Sequence, residues 1–281
     1  MEKNNIVKNA VEFLLFNYFG LDCKDGNDLD AILDRAIERA YDDATNQGAF
    51  NALFTADDYP DREAVEEFKA LVRGMSVNVK QAVIDLFSDG STIDYDEWHS
   101  DLCSKLCQDY IALASANNPT PAVRSFVKAS GYFRYGNAQK WVNMTIKNLY
   151  VISGAYLAMG GTTNEKFFNA VAERSNEFHI PLDNIILGAI YKQKLTGPED
   201  RYYVRKFGKK DPCYNIATFY DDGAPWSCSW SNIQTWAVYE NFRKELKAAI
   251  DEPPIEWECR NWIERKKQIK ALKGDLTTID D

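Results

Sequence analysis

Tyr135-Gly136-Asn137-Ala138-Gln139-Lys140-Trp141-Val142-Asn143-Met144-Thr145-Ile146-Lys147 is the stretch on which the fold turns. Tyr135, Gly136 and Asn137 read as a loop, with Asn137 placed to cap a helix. Trp141, Met144, Leu149 and Ile152 then recur near helical spacing, which predicts a helix over 138–158 with Lys140 in its first turn. The glycosylation pattern Asn143-Met144-Thr145 falls inside this apolar helix and carries no meaning there.

A second string, Glu177-Phe178-His179-Ile180-Pro181-Leu182-Asp183-Asn184-Ile185-Ile186-Leu187, ends an extended segment and opens another helix. Asp183 stands directly before the apolar residues Ile185, Ile186, Leu187 and Ile190, so its carboxylate is set to accept from the exposed amides of the next turn. One Lys and one Asp thus stand at helix beginnings.

Outward from these strings the chain reads as mainly α. Helical patterning or composition is expected over 5–19, 28–44, 61–74, 76–88, 94–115, 121–130, 138–158, 165–177, 184–193, 231–249 and 255–270, with breaks at glycines and prolines such as Gly90, Pro119 and Pro253-Pro254. The exception is 200–224, where two β-prone runs flank Gly208-Lys209-Lys210-Asp211-Pro212 and predict a small β-hairpin insert. At 281 residues, with 45% hydrophobic and 13% aromatic content, the chain can bury a sizeable core without disulfide staples. Its six cysteines have no framework spacing, and no leader or membrane-length apolar run is evident, so a soluble cytoplasmic protein with reduced thiols is expected.

The Gln139-Lys140 helix and the Ile180-Pro181-Leu182-Asp183 string are followed by Tyr239-Glu240-Asn241-Phe242-Arg243-Lys244-Glu245-Leu246, a Pro253-Pro254 break and Trp257-Glu258-Cys259-Arg260-Asn261-Trp262-Ile263. In order and approximate spacing these resemble the archaeal 8-oxoguanine DNA glycosylase (AGOG-type) branch of the helix-hairpin-helix glycosylase superfamily, over roughly residues 120–265. The chain departs from most of that superfamily in its hairpin, where Gly131-Tyr132-Phe133-Arg134-Tyr135-Gly136 replaces a Leu-Pro-Gly-Val-Gly type turn.

Two helical subdomains are expected, an acidic one over 1–118 and, as the resemblance implies, a helix-hairpin-helix-like one over 119–281 that carries the site. It implies a glycosylase with AP lyase chemistry, in which Lys140 attacks the sugar carbon bearing a damaged base such as 8-oxoguanine and Asp183 assists. No cofactor is implied. An amine nucleophile must be partly neutral, and a helix N-terminus and a desolvated pocket both disfavour the ammonium, whereas the Asp183 carboxylate favours it and supports the cationic sugar. Gln139, Trp141, Trp226 and Trp230 are the expected contacts to the flipped base. Arg134, Gly136, Arg201, Arg205, Lys206, Lys209 and Lys210 are the expected contacts to the DNA backbone.

Charge bears on the partner. The net charge is −9, but residues 1–118 hold 10 basic against 23 acidic residues, while 119–281 hold 23 against 19. Double-stranded DNA therefore has its expected footing in the second part, and the acidic first part is the expected surface for a basic protein partner. The other function class is a non-catalytic protein- or nucleic-acid-binding protein on the same scaffold. His99, Cys103 and Cys107 recur every four residues, but one helix cannot wrap three such ligands around one ion, so no metal site is assigned.

Overall fold

The computed structural model describes residues 3–22, 28–45, 61–115, 120–130, 133–160, 163–183 and 235–277, with short pieces between 185 and 233. The architecture is mainly α: α1 (Lys3–Phe19), α2 (Leu29–Thr45), α3 (Arg62–Gly74), α4 (Ser76–Leu86), α5 (Tyr95–Ser115), α6 (Pro121–Ser130), α7 (Tyr135–Met159), α8 (Glu165–Glu173), α9 (Trp236–Ala249) and α10 (Pro254–Thr277). Acidic residues cap several of these. Asp28 accepts from the Ala31 amide, Asp61 from Ala64 and Asp94 from Glu97, at 2.9–3.1 Å, so α2, α3 and α5 begin where the sequence places a capping residue before an apolar run. Within 200–224, β1 (Tyr203–Lys206) pairs antiparallel with β2 (Asn215–Thr218), and β3 (Tyr220–Asp221) with β4 (Ala224–Pro225). The side chains of that segment and the residues joining β1 to β2 lie outside the described residues.

Helix α7 is the hub, packed against α2, α5, α8 and α1. Alanines 36, 40 and 44 stand four apart on the buried face of α2 and let the two backbones approach closely. Residues Tyr135 to Asn143 are all buried. A helix enclosed on every side must satisfy its polar groups internally. Trp141 donates from its indole N–H to the Ile37 carbonyl at 3.2 Å and Asn148 from Nδ2 to the Ala36 carbonyl at 3.0 Å, while Thr145 bonds back to the Trp141 carbonyl. One hydrophobic core cluster runs from Leu15 in α1 to Trp257 in α10.

Three boundaries differ from the sequence expectation. Helix α7 begins at Tyr135, not 138: Asn137 is its third residue and accepts from the Arg134 N–H at 3.1 Å instead of capping, which puts Lys140 in the second turn. Helix α9, expected from 231, begins at Trp236 behind Thr235, whose hydroxyl accepts from the Val238 amide. The expected helix 165–177 breaks at Arg174 into α8 and a single 3-10 turn, because the Arg174 guanidinium turns away to bond Glu177 and the carbonyls of Leu86 and Ile93.

Candidate active site

Lys140 and Asp183 are brought together by a polar lattice on α7. The Gln139 side chain donates from Nε2 to the Leu182 carbonyl and accepts at Oε1 from the Leu182 N–H, both at 3.3 Å, and Nε2 also donates to the Gly136 carbonyl at 2.9 Å. One turn on, Asn143 donates from Nδ2 to Gln139 Oε1, the Ile180 carbonyl and the Tyr239 hydroxyl at 2.9–3.1 Å. Its Oδ1 accepts from His99 Nε2 at 2.9 Å. Segment 180–182 is thereby held along α7 by two side chains of the helix. The residues that follow each partner of the clamp, Lys140 after Gln139 and Asp183 after Leu182, open onto one cleft.

Asp183 accepts at Oδ1 from the amides of Ile185 and Ile186, both at 2.8 Å, which fixes the carboxylate at the start of the helical turn there. Lys140 is 6% exposed, with Nζ 4.3 Å from the centroid of the Trp230 ring. Burial pulls its pKa below the ordinary lysine value, while Asp183 and Asp43 pull it back up without restoring it. Burial likewise raises the pKa of Asp43, against the opposing pull of Lys140. The result is an amine easier to deprotonate than a surface lysine, next to two carboxylates.

The cleft is about 890 Å³ and lies between α1, α7 and α10. Its α7 wall is a stripe at helical spacing, Lys140, Met144, Lys147, Asn148 and Val151; α1 contributes Val11, Leu14, Leu15, Tyr18 and Phe19; α10 contributes Glu258, Trp262 and Lys266. Lys147, partly exposed, and Glu258, buried, form an ion pair at 2.6 Å across it. Together with Asp43, this pair is the part of the site that sequence reasoning missed. The signal for Lys147 was present, since seven residues after Lys140 is the same face of a helix.

Comparison with protein-family models, with curated proteins and with solved structures gives no match.

The remaining predicted contacts are scattered. Trp230 is buried against Lys140. Trp141 faces away from the cleft, edge-on to Tyr41 and Phe133. Gln139 is fully buried, its amide committed to the Leu182 clamp, and the Gly136 N–H donates to the Ile233 carbonyl at 2.9 Å. Arg134 precedes α7 as its N-cap residue. Arg205 and Lys206 lie in β1 with their side chains undescribed, and Trp226, Arg201, Lys209 and Lys210 lie outside the described residues.

His99 and Cys103 are buried in an aromatic and imidazole cluster. His99 stacks on Tyr239 and packs on His179 with ring centroids 4.4 Å apart, and Cys103 Sγ approaches the His99 ring at 3.8–3.9 Å. Among the described residues no three His, Cys, Asp or Glu side chains converge on a metal position, and no helix is long and apolar enough to cross a membrane.

Proposed function

We propose that this chain is a DNA glycosylase with AP lyase activity, acting in the cytoplasm on a helix-hairpin-helix-type scaffold with two helical subdomains and a β-hairpin insert at 200–224. The observation that carries this reading is a lysine buried in a mostly apolar cleft, with its pKa lowered by desolvation, sharing that cleft with a capped carboxylate. That is the environment a Schiff-base lysine requires.

In the proposed reaction the neutral Nζ of Lys140 adds to C1′ of an everted nucleotide as the C1′–N bond breaks. The base leaves with the bonding electrons and takes up a proton. Asp183 stabilises the positive charge that develops on the sugar, from a position fixed by the two amides it accepts from. One amine proton is lost and the C1′–O4′ bond then opens, with O4′ taking up a proton, to give a protonated Schiff base; removal of a C2′ proton converts it to an enamine that expels the 3′ phosphate. The Trp230 face favours the ammonium and sets a limit on how far the lysine pKa falls. Duplexes carrying 8-oxoguanine, uracil, alkylated purines or an abasic site, resolved on denaturing gels after single-turnover incubation, test the reading: strand cleavage on at least one, lost in Lys140→Gln, supports it, and no cleavage on any by folded protein refutes it.

A second reading has its own observation. Helix α1 exposes Ile6, Val7, Phe13, Leu14, Phe16 and Tyr18, each at least half accessible, on the acidic part of the chain. Such a face suits protein contact, and a non-catalytic binding protein on the same scaffold would use it. In that case Lys140→Gln leaves function untouched.

A further inference from the structure

Helix α1 turns one side to the core. Val11, Leu15 and Phe19 recur every four residues on that side, where the helix packs on α7 and α2. Ile6, Val7, Phe13, Leu14, Phe16 and Tyr18 stay at least half accessible. Together these exposures come to roughly 700 Å² per chain, above the largest apolar patch of a typical monomer, about 300–600 Å², and near the share of about 800 Å² that each partner gives to a stable interface. A helix apolar on both sides is ordinarily enclosed. The outer face is arranged about Ala10, itself exposed. At about 100° per residue, Ile6 and Leu14 lie about 40° to either side of Ala10, and Val7 and Phe13 about 60° to either side. The stripe therefore reads the same in both chain directions, as an isologous contact between two copies requires.

We propose that this chain is a homodimer, formed by antiparallel two-fold packing of α1 on α1 about Ala10. The crossing sets Ile6 of each copy against Leu14 of the other and Val7 against Phe13, and the small side chain at its centre lets the two backbones approach. Charge argues against other occupants. Glu12, the one carboxylate of α1, stands about 160° round the helix from Ala10, so a basic protein finds nothing on this stripe to pair with. The acidic surplus over 1–118 likewise disfavours an anionic membrane surface. A copy of the same neutral, apolar stripe meets neither objection. Leu14 and Tyr18 also line the cleft, so the second copy stands at its rim. The inference does not depend on the chemistry at Lys140.

Sedimentation equilibrium of the full chain at micromolar concentration tests the proposal, with Val7→Glu/Phe13→Glu and Ala10→Cys alongside. Wild type is expected at twice the chain mass. The Val7→Glu/Phe13→Glu variant sets like charges against each other across the two-fold and is expected at the chain mass, with association weakened roughly 100-fold or more. Both of its sites are exposed in the protomer, so its helical circular dichroism is expected to be kept. Under mild oxidation Ala10→Cys is expected to give a disulfide-linked dimer whose bridged peptide, identified by mass spectrometry, joins position 10 of both copies. A wild type that stays at the chain mass overturns the proposal, whether it is then found free, on neutral phosphatidylcholine vesicles or on a different protein. A Val7→Glu/Phe13→Glu variant that remains dimeric overturns it too, as does an Ala10→Cys chain that yields no such bridged peptide.

Discussion

Gln139 holds Leu182 by both its backbone N–H and its backbone C=O, a two-bond clamp between side chain and main chain that fixes the distance between the next residues along, Lys140 and Asp183. The site is therefore built by positions that do not themselves line it. Gln139 and Asn143 spend their amides on the segment 180–182, and Lys140 and Asp183 inherit their geometry from them.

Removing the clamp tests this directly. Gln139→Leu leaves the Leu182 N–H and C=O buried and unpaired, and each such group costs about 1–3 kcal/mol. The variant is expected to lose stability by about that much and to lose more than tenfold in lyase rate with Lys140 intact. Urea unfolding and single-turnover kinetics on abasic DNA read the two effects separately.

Lys140 itself is a stability cost. Its folded-state pKa lies below that of the unfolded chain, so the unfolded state binds more protons between the two values, and the penalty on folding is in place at neutral pH and fades as pH rises toward the ordinary lysine value. Lys140→Met is expected to raise the melting temperature at pH 7, with the gain shrinking as pH rises toward 10.5, while abolishing activity. A melting temperature that falls in the variant contradicts the desolvated lysine.

His99 and His179 give a separate acid signature. Burial holds both pKa values well below 6.5, so the imidazoles are neutral when folded and take up protons only on unfolding. Stability should therefore be unaffected by these two groups above about pH 7 and fall as pH drops through 6.5, by up to about 1.4 kcal/mol per pH unit for each histidine. Equilibrium unfolding between pH 7.5 and 5.5 measures the slope, and His99→Gln or His179→Gln is expected to flatten it.

Trp141 is a core residue of the α2–α7 contact, bonded to the Ile37 carbonyl and packed on Tyr41. Trp141→Ala should cost about 3–5 kcal/mol. Excision per folded molecule is expected to be preserved, as measured by active-site titration; a selective loss of base excision without destabilisation would restore Trp141 to the base pocket.

Helices α2, α3 and α5 were legible from patterning and composition, because their ends are decided locally, by bonds to Asp28, Asp61 and Asp94. The start of α7 was misread because Asn137 is a good capping residue by composition, yet the tertiary bond of the Gly136 amide to Ile233 lies beyond any local pattern. The convergence of Lys140 and Asp183 on one cleft was reached through the family resemblance alone. Nothing in the spacing of 43 positions shows that Gln139 will clamp Leu182. Glu258 and Asp43 were out of reach for the same reason, since each is brought to the cleft from a distant helix. Gln139 and Trp141, which flank Lys140 in sequence, point elsewhere because successive residues of a helix occupy different faces.

The most direct test of the central claim is to locate the covalent adduct. The protein is incubated with an abasic duplex and borohydride, the cross-linked species is digested, and mass spectrometry identifies the residue bearing the reduced sugar. The account predicts modification at Lys140 and its disappearance in Lys140→Gln; an adduct at Lys147 or at the N-terminal amine, or no adduct from folded wild-type protein, contradicts it.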